Sequence, residues 1–141
     1  MENIRAELIK TALEWEARFS VIPQITSAIS EYDAAMLVGC TEDQYSHIMI
    51  GRTAVTKGSD FVYNKKRYQI KANRPSGKPG SFVTLVGAAK NYNWDLLIWI
   101  LYDREFNIQE AWQFDCIKYK ELFEKKKRLS PDDMRKGKRL A

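Results

Sequence analysis

Apolar residues recur at helical spacing at the start of the chain. Ile4, Leu8, Ala12, Trp15 and Phe19 are set among charged residues, which predicts a helix over residues 4–19. Pro23 interrupts, and a second helix is predicted from about Gln24 to Val38, stopped by Gly39. Its apolar stripe is Ile25, Ala28, Ile29, Tyr32 and Met36; Glu31, Ala34, Ala35 and Val38 form a stripe beside it. The pattern then shortens. Tyr45 to Thr53 reads as a strand ending near Gly51, with His47 beside Ile48-Met49-Ile50 as a strand-edge residue rather than a catalyst.

Two more short strands are predicted near 59–63 and 67–72, joined at Asn64-Lys65. If those two residues form the hairpin turn, Asp60 faces Gln69 across the ladder. Gln69 and Lys71 share a face whatever the turn, because strand side chains alternate, and Tyr68 and Ile70 point the other way, toward a core. Asn73-Arg74-Pro75-Ser76-Gly77-Lys78-Pro79-Gly80-Ser81 is a loop by its glycines and prolines. A short helix is expected within 83–91. Trp94 to Tyr102 is nearly all apolar, the pattern of a strand buried on both faces. After a turn at Asp103-Arg104-Glu105 comes a strand over about 106–113, then a helix over 115–126. Ser130-Pro131-Asp132-Asp133 offers a helix cap with proline at the first helical position. Trp94, Trp99 and Trp112 read as core. The expected fold class is α/β, with a central mixed sheet of about five strands flanked by helices, in a single domain over residues 1–141.

Composition narrows the function. The chain has 141 residues, 45% hydrophobic and 12% aromatic, enough for one ordinary core. A net charge of +5 and a pI of about 9.2 suit a polyanionic partner. With two distant cysteines, Cys40 and Cys116, and one histidine, a zinc finger, a zinc hydrolase, a disulfide scaffold and a serine–histidine centre are all poorly supported. The N-terminus lacks an apolar signal core and no run reaches membrane-spanning length, so a cytoplasmic protein with reduced thiols and no membrane partner is expected.

The residue types around the hairpin point to phosphodiester hydrolysis. That reaction needs a positioned water, neutralisation of charge on the phosphorane-like transition state, and help for the leaving oxygen. A magnesium ion held by oxygen ligands serves all three. Asp60 would supply a carboxylate oxygen, Gln69 its side-chain carbonyl, and Ile70 its main-chain carbonyl. Lys71 would reach the attacking water or a non-bridging phosphate oxygen, as base or as fixed cation. Arg74, Ser76 and Lys78 lie in the loop that follows, where exposed N–H groups and two cations could clasp a phosphate. Glu14 and Glu16 read as solvated. Asp33 lies about 200° around its helix from Glu31. Lys125-Lys126-Lys127-Arg128 and Arg135-Lys136-Gly137-Lys138-Arg139 make the C-terminus basic, which would suit non-specific contact with a nucleic-acid backbone.

Taken together, these segments resemble the PD-(D/E)XK nuclease superfamily, the restriction-endonuclease-like three-layer fold. Glu31-Tyr32-Asp33-Ala34-Ala35-Met36-Leu37-Val38-Gly39 is similar to its first core helix, Gly58-Ser59-Asp60 to its metal-binding aspartate, and Arg67-Tyr68-Gln69-Ile70-Lys71 to its (D/E)-x-K strand. Trp94 to Tyr102 would be the next core strand. The resemblance covers residues 24–114, with residues 1–22 as an N-terminal helical addition and 115–141 as a helical basic tail. It implies a DNA endonuclease dependent on Mg2+, or Mn2+, with Glu31, Asp60, Gln69 and Lys71 at its centre. Glu31 would bind a second metal or a metal-bound water. The family usually has Asp or Glu where this chain has Gln69, although some restriction endonucleases in it carry glutamine. A neutral amide binds a hard cation more weakly, which leaves a manganese preference or a non-catalytic nucleic-acid-binding protein open. A junction resolvase shares the same motifs. Cutting both strands with one centre would favour a homodimer or a partner subunit.

Overall fold

The computed structural model describes residues 3–52, 59–76 and 78–141. Helix α1 spans Ile4–Phe19; the Asn3 side chain accepts from the Ala6 N–H at its start, and Ser20 closes it in a left-handed conformation. Helix α2 spans Thr26–Leu37. Helix α3 spans Glu42–Ile50 and begins with a reciprocal capping box between Thr41 and Gln44. The strands are β1 (Phe61–Tyr63), β2 (Lys66–Asn73), β3 (Leu96–Tyr102), β4 (Ile108–Asp115) and β5 (Lys138–Arg139). Helix α4, Cys116–Phe123, follows β4 directly, and α5, Pro131–Met134, is capped by Ser130.

The protein is α/β, with one mixed sheet in the order β1-β2-β3-β4-β5. Only β2 and β3 run parallel, joined by the crossover over residues 74–95; the other neighbours are antiparallel. Asn64 and Lys65 both take positive φ, as a two-residue hairpin turn matched to sheet twist requires. The resulting register pairs Phe61 with Tyr68 and Val62 with Arg67.

Helices cover both faces of β3. Ile98, Ile100 and Tyr102 join Ile9, Ile29, Ala34 and Ala35 in one core, while Leu97 and Trp99 join Trp94, Phe114, Tyr119, Phe123 and Met134 in the other. Among the described residues, no helix is long and apolar enough to cross a membrane. Cys40 and Cys116 are both free, and burial pushes both thiols up.

Several expectations are corrected. The stretch read as a strand from Tyr45 is helix α3, so His47 lies on an exposed helix face, its Nδ1 paired with the Asp43 carbonyl at 2.8 Å; Thr53 lies outside the described residues. The sheet still has five strands because β5, from the segment expected to be a helical tail, takes the last place. Gly137 admits it: a Cβ there would stand 2.7 Å from the Gln113 carbonyl and 2.9 Å from the Phe114 ring. Residues 83–91 form no helix; Val86 instead bridges to Leu129. Asn73, expected in the loop, still pairs with Leu101.

The largest difference concerns α1. Of its stripe only Ala12 is buried; Ile4, Leu8, Trp15 and Phe19 are exposed, and Ile9 and Leu13 pack inward instead. Charged residues hold this orientation. Arg5 donates to both oxygens of Asp33 at 2.6 and 2.8 Å and to the Phe106 carbonyl at 2.9 Å, and the Tyr102 hydroxyl adds a bond to Asp33 at 2.6 Å. Glu16, expected to be solvated, receives Arg74 at 3.0 and 3.2 Å.

Candidate active site

Past Phe61, strand β1 leaves the ladder and β2 is left with an open edge. Asp60 occupies that edge. Its N–H donates to the Tyr68 carbonyl at 2.7 Å, and its Oδ2 accepts the Ile70 N–H at 2.7 Å and Gln69 Nε2 at 3.2 Å. A residue in a strand turns its N–H and C=O to the same edge. The Ile70 carbonyl therefore faces the edge that Asp60 occupies.

The two faces of β2 contribute differently. Tyr68 and Ile70 enter the core on which α2 packs, and Gln69 and Lys71 alternate with them. Helix α2 approaches closely because Ala34 and Ala35 are fully buried against the sheet. That approach brings Glu31 to the same edge. Thr26, Ser27, Ser30, Glu31, Asp60, Gln69, Ile70, Lys71 and Ala72 line one cavity of about 300 Å³. The four residues expected to form a centre thus line one cavity.

Burial dominates the electrostatics. It pushes the Glu31 carboxyl up, and the Asp60 charge beside it adds to the rise, against partial relief from Arg52. It raises Asp60 as well, despite the Ile70 N–H, Arg52 and Lys71. Burial lowers Lys71; Asp60 opposes that shift and Lys90 adds to it. Two partly buried carboxylates with too little positive charge around them suit a cation. All the available donors are oxygens, which matches a hard divalent ion such as Mg2+ or Mn2+. Among the described residues no three His, Cys, Asp or Glu side chains converge, so the donor set would be Glu31, Asp60, the Gln69 amide oxygen and the Ile70 carbonyl.

Arg52 was not anticipated. Its Nη1 lies 3.4 Å from Glu31 Oε2, and it lines a second hollow against the other side of Asp60. The signal was present in Thr41-Glu42-Asp43-Gln44, a capping box, and Gly51, a helix stop, which together place Arg52 just past a helix end. Lys90, on the crossover, was also missed.

The loop residues divide. Arg74 is committed to the protein itself: it pairs with Glu16, donates through Nε to the Arg104 carbonyl at 2.8 Å, and stacks 4.9 Å over the Phe106 ring. Its side chain is 5% exposed, so the expected phosphate clasp loses that cation. Ser76 donates to the Ser81 hydroxyl at 2.8 Å, and Lys78 is exposed; Gly77, like Gly58, lies outside the described residues. The basic C-terminus is partly neutralised. Arg135 pairs with Glu110 and Asp132, and Lys126 and Lys136 with Asp133.

The Glu31 environment has a measurable consequence. A carboxyl whose folded pKa is raised contributes stability below its unfolded value, about 4.3, and that stability is lost as pH rises through the folded pKa. Glu31→Gln escapes this loss. In metal-free buffer its Tm advantage over wild type is expected to widen as pH rises from about 4 toward neutrality, and Mg2+ or Mn2+ should narrow it by stabilising wild type selectively. A pH-independent difference in thermal melts would exclude a strained carboxylate here. Neither a protein-family model nor a curated protein matches the chain, so what this site does follows from its own geometry and chemistry.

Proposed function

We propose that this protein is a metal-dependent endonuclease of the PD-(D/E)XK type that hydrolyses DNA phosphodiester bonds. The observation that carries this reading is the meeting of Glu31, Asp60, Gln69 and Lys71 around one cavity at the open edge of β2. The topology is in keeping with a restriction-endonuclease-like core. A hairpin bears the aspartate and the Gln-x-Lys strand, a helix with small residues lies against it, and a parallel neighbour strand follows a crossover.

The chain's own residues divide the work. Asp60 and Glu31 would hold the ion, with Gln69 and the Ile70 carbonyl completing the set. When bound, the ion supplies neutralisation of developing phosphate charge and acidifies a water. Lys71, whose ammonium is destabilised by burial, would accept a proton from the attacking water or, as a cation, hold a phosphate oxygen. The first turn of α2 carries no side-chain cap, and Thr26 and Ser27 line the cavity, so its free N–H groups can receive a phosphate oxygen. Arg52 adds positive charge beside the two carboxylates, and Lys90 beside Lys71.

One observation favours a second reading, a DNA-binding protein that does not cut. Gln69 brings no charge, and its amide N–H is directed at Asp60. Incubation with supercoiled plasmid, single-stranded and branched DNA, with Mg2+ or Mn2+, decides between them. Wild type should cut, with Lys71→Ala slower by about 10²-fold or more. Equal binding by both proteins with no cleavage of any substrate would establish the second reading; cleavage of branched DNA alone would mark a junction resolvase.

A further inference from the structure

We propose that the outward face of α1 is a homodimer interface, on which α1 of a second copy packs antiparallel. Ile4, Leu8, Trp15 and Phe19 are 78%, 41%, 51% and 54% exposed. At about 100° per residue they fall within one narrow stripe, with Thr11 at its edge midway along the helix. Trp15 and Phe19 pack on each other with ring centroids 4.7 Å apart, which presents one continuous apolar surface. The helix cannot roll to bury it. Arg5 is locked onto Asp33 and Glu16 onto Arg74 on the flank beside the stripe, so the stripe is fixed outward. An apolar stripe of this kind on a held helix is a contact surface rather than a packing accident.

The charges beside the stripe identify the occupant. Glu7 and Arg18 lie on the same flank, near opposite ends of α1, and among the described residues neither has a hydrogen-bonding or ionic side-chain partner. A two-fold axis through the helix midpoint sets Ile4 opposite Phe19 and Leu8 opposite Trp15 of the second copy. The same operation places Glu7 beside the second copy's Arg18, twice over, because an isologous contact repeats every pair. A parallel pair would instead carry the two copies of this flank to opposite sides of the contact, where Glu7 and Arg18 could not meet. The remaining flank, with Ala12, Arg5 and Glu16, is turned to the body of the protein, so the second helix settles on the Glu7–Arg18 side. Nothing in this argument depends on what the cavity binds.

Sedimentation equilibrium on the full chain at micromolar concentration tests it. Wild type should be dimeric, and Leu8→Glu combined with Trp15→Glu should be a folded monomer by circular dichroism. Glu7→Arg alone should raise the dimer Kd about tenfold, since it sets arginine against arginine at two symmetric places. Adding Arg18→Glu should restore the wild-type Kd. That rescue separates a specific antiparallel contact from loose hydrophobic association. A monomeric wild type, a dimer that survives Leu8→Glu with Trp15→Glu, or a charge exchange without rescue would each overturn the proposal.

Discussion

Asp60→Asn is expected to abolish metal-dependent DNA cleavage while leaving the metal-free protein at least as stable as wild type. The asparagine carbonyl can still accept the Ile70 N–H, so the hydrogen bond that closes the open edge of β2 is kept. What disappears is the charge that a hard cation requires, and with it a rate contribution on the order of 10³-fold. The folded Asp60 carboxyl is raised by burial, so its ionised form weakens the fold at neutral pH, and a neutral isostere removes that cost. Plasmid relaxation rates and metal-free thermal melts read the two effects separately. Cleavage within tenfold of wild type would remove Asp60 from the proposed centre, and a steep fall in Tm would make it a structural residue instead.

The largest expected loss of stability lies elsewhere, at Asp33. This carboxylate is 5% exposed and satisfies three donors: two guanidinium N–H groups of Arg5 and the Tyr102 hydroxyl. Burial and the Asp33 charge push the Tyr102 phenol far above its ordinary range, so the phenol stays a donor at any physiological pH. Asp33→Ala would leave a half-buried guanidinium and a buried hydroxyl without their acceptor. A destabilisation of about 3–5 kcal/mol follows, a large fraction of the roughly 5–15 kcal/mol that holds an ordinary domain together. Asp33→Asn keeps an acceptor and should cost less. Urea denaturation measures both; a loss below about 1 kcal/mol for Asp33→Ala would show that the network is replaceable by water.

These two aspartates also show where sequence patterning succeeds and where it stops. The meeting of Asp60 and Gln69 was legible because the turn at Asn64-Lys65 sets the register up to Phe61 and Tyr68. Asp60 itself lies just past the ladder and reaches Gln69 through its side chain, not as a paired strand residue. Strand β3 was legible because Leu96 to Tyr102 is apolar on both faces and is buried on both. The α1 stripe misleads for a physical reason. Arg5 and Glu16 sit on the inward side because Asp33 and Arg74, 28 and 58 residues further along, neutralise them there. Periodicity finds an apolar face but cannot foresee a charged one that is paired from a distance. Helix α3 hid behind the short apolar run Ile48-Met49-Ile50, which suits a strand or a helix equally, although the Thr41–Gln44 box favours the helix. Strand β5 lay beyond pattern altogether, since two basic residues between Gly137 and Leu140 carry no period.

The Asp60–Ile70 contact has a mechanical side. In most sheets a frayed edge is quieted by water or by another carbonyl; here the next rung after Tyr68 is closed by a side chain that also belongs to the cavity. The turn at Asn64-Lys65 and the cavity are therefore two ends of one lever. Whatever draws the Asp60 carboxylate away from the Ile70 amide loosens the hairpin, and whatever holds the hairpin shut keeps that carboxylate aimed inward.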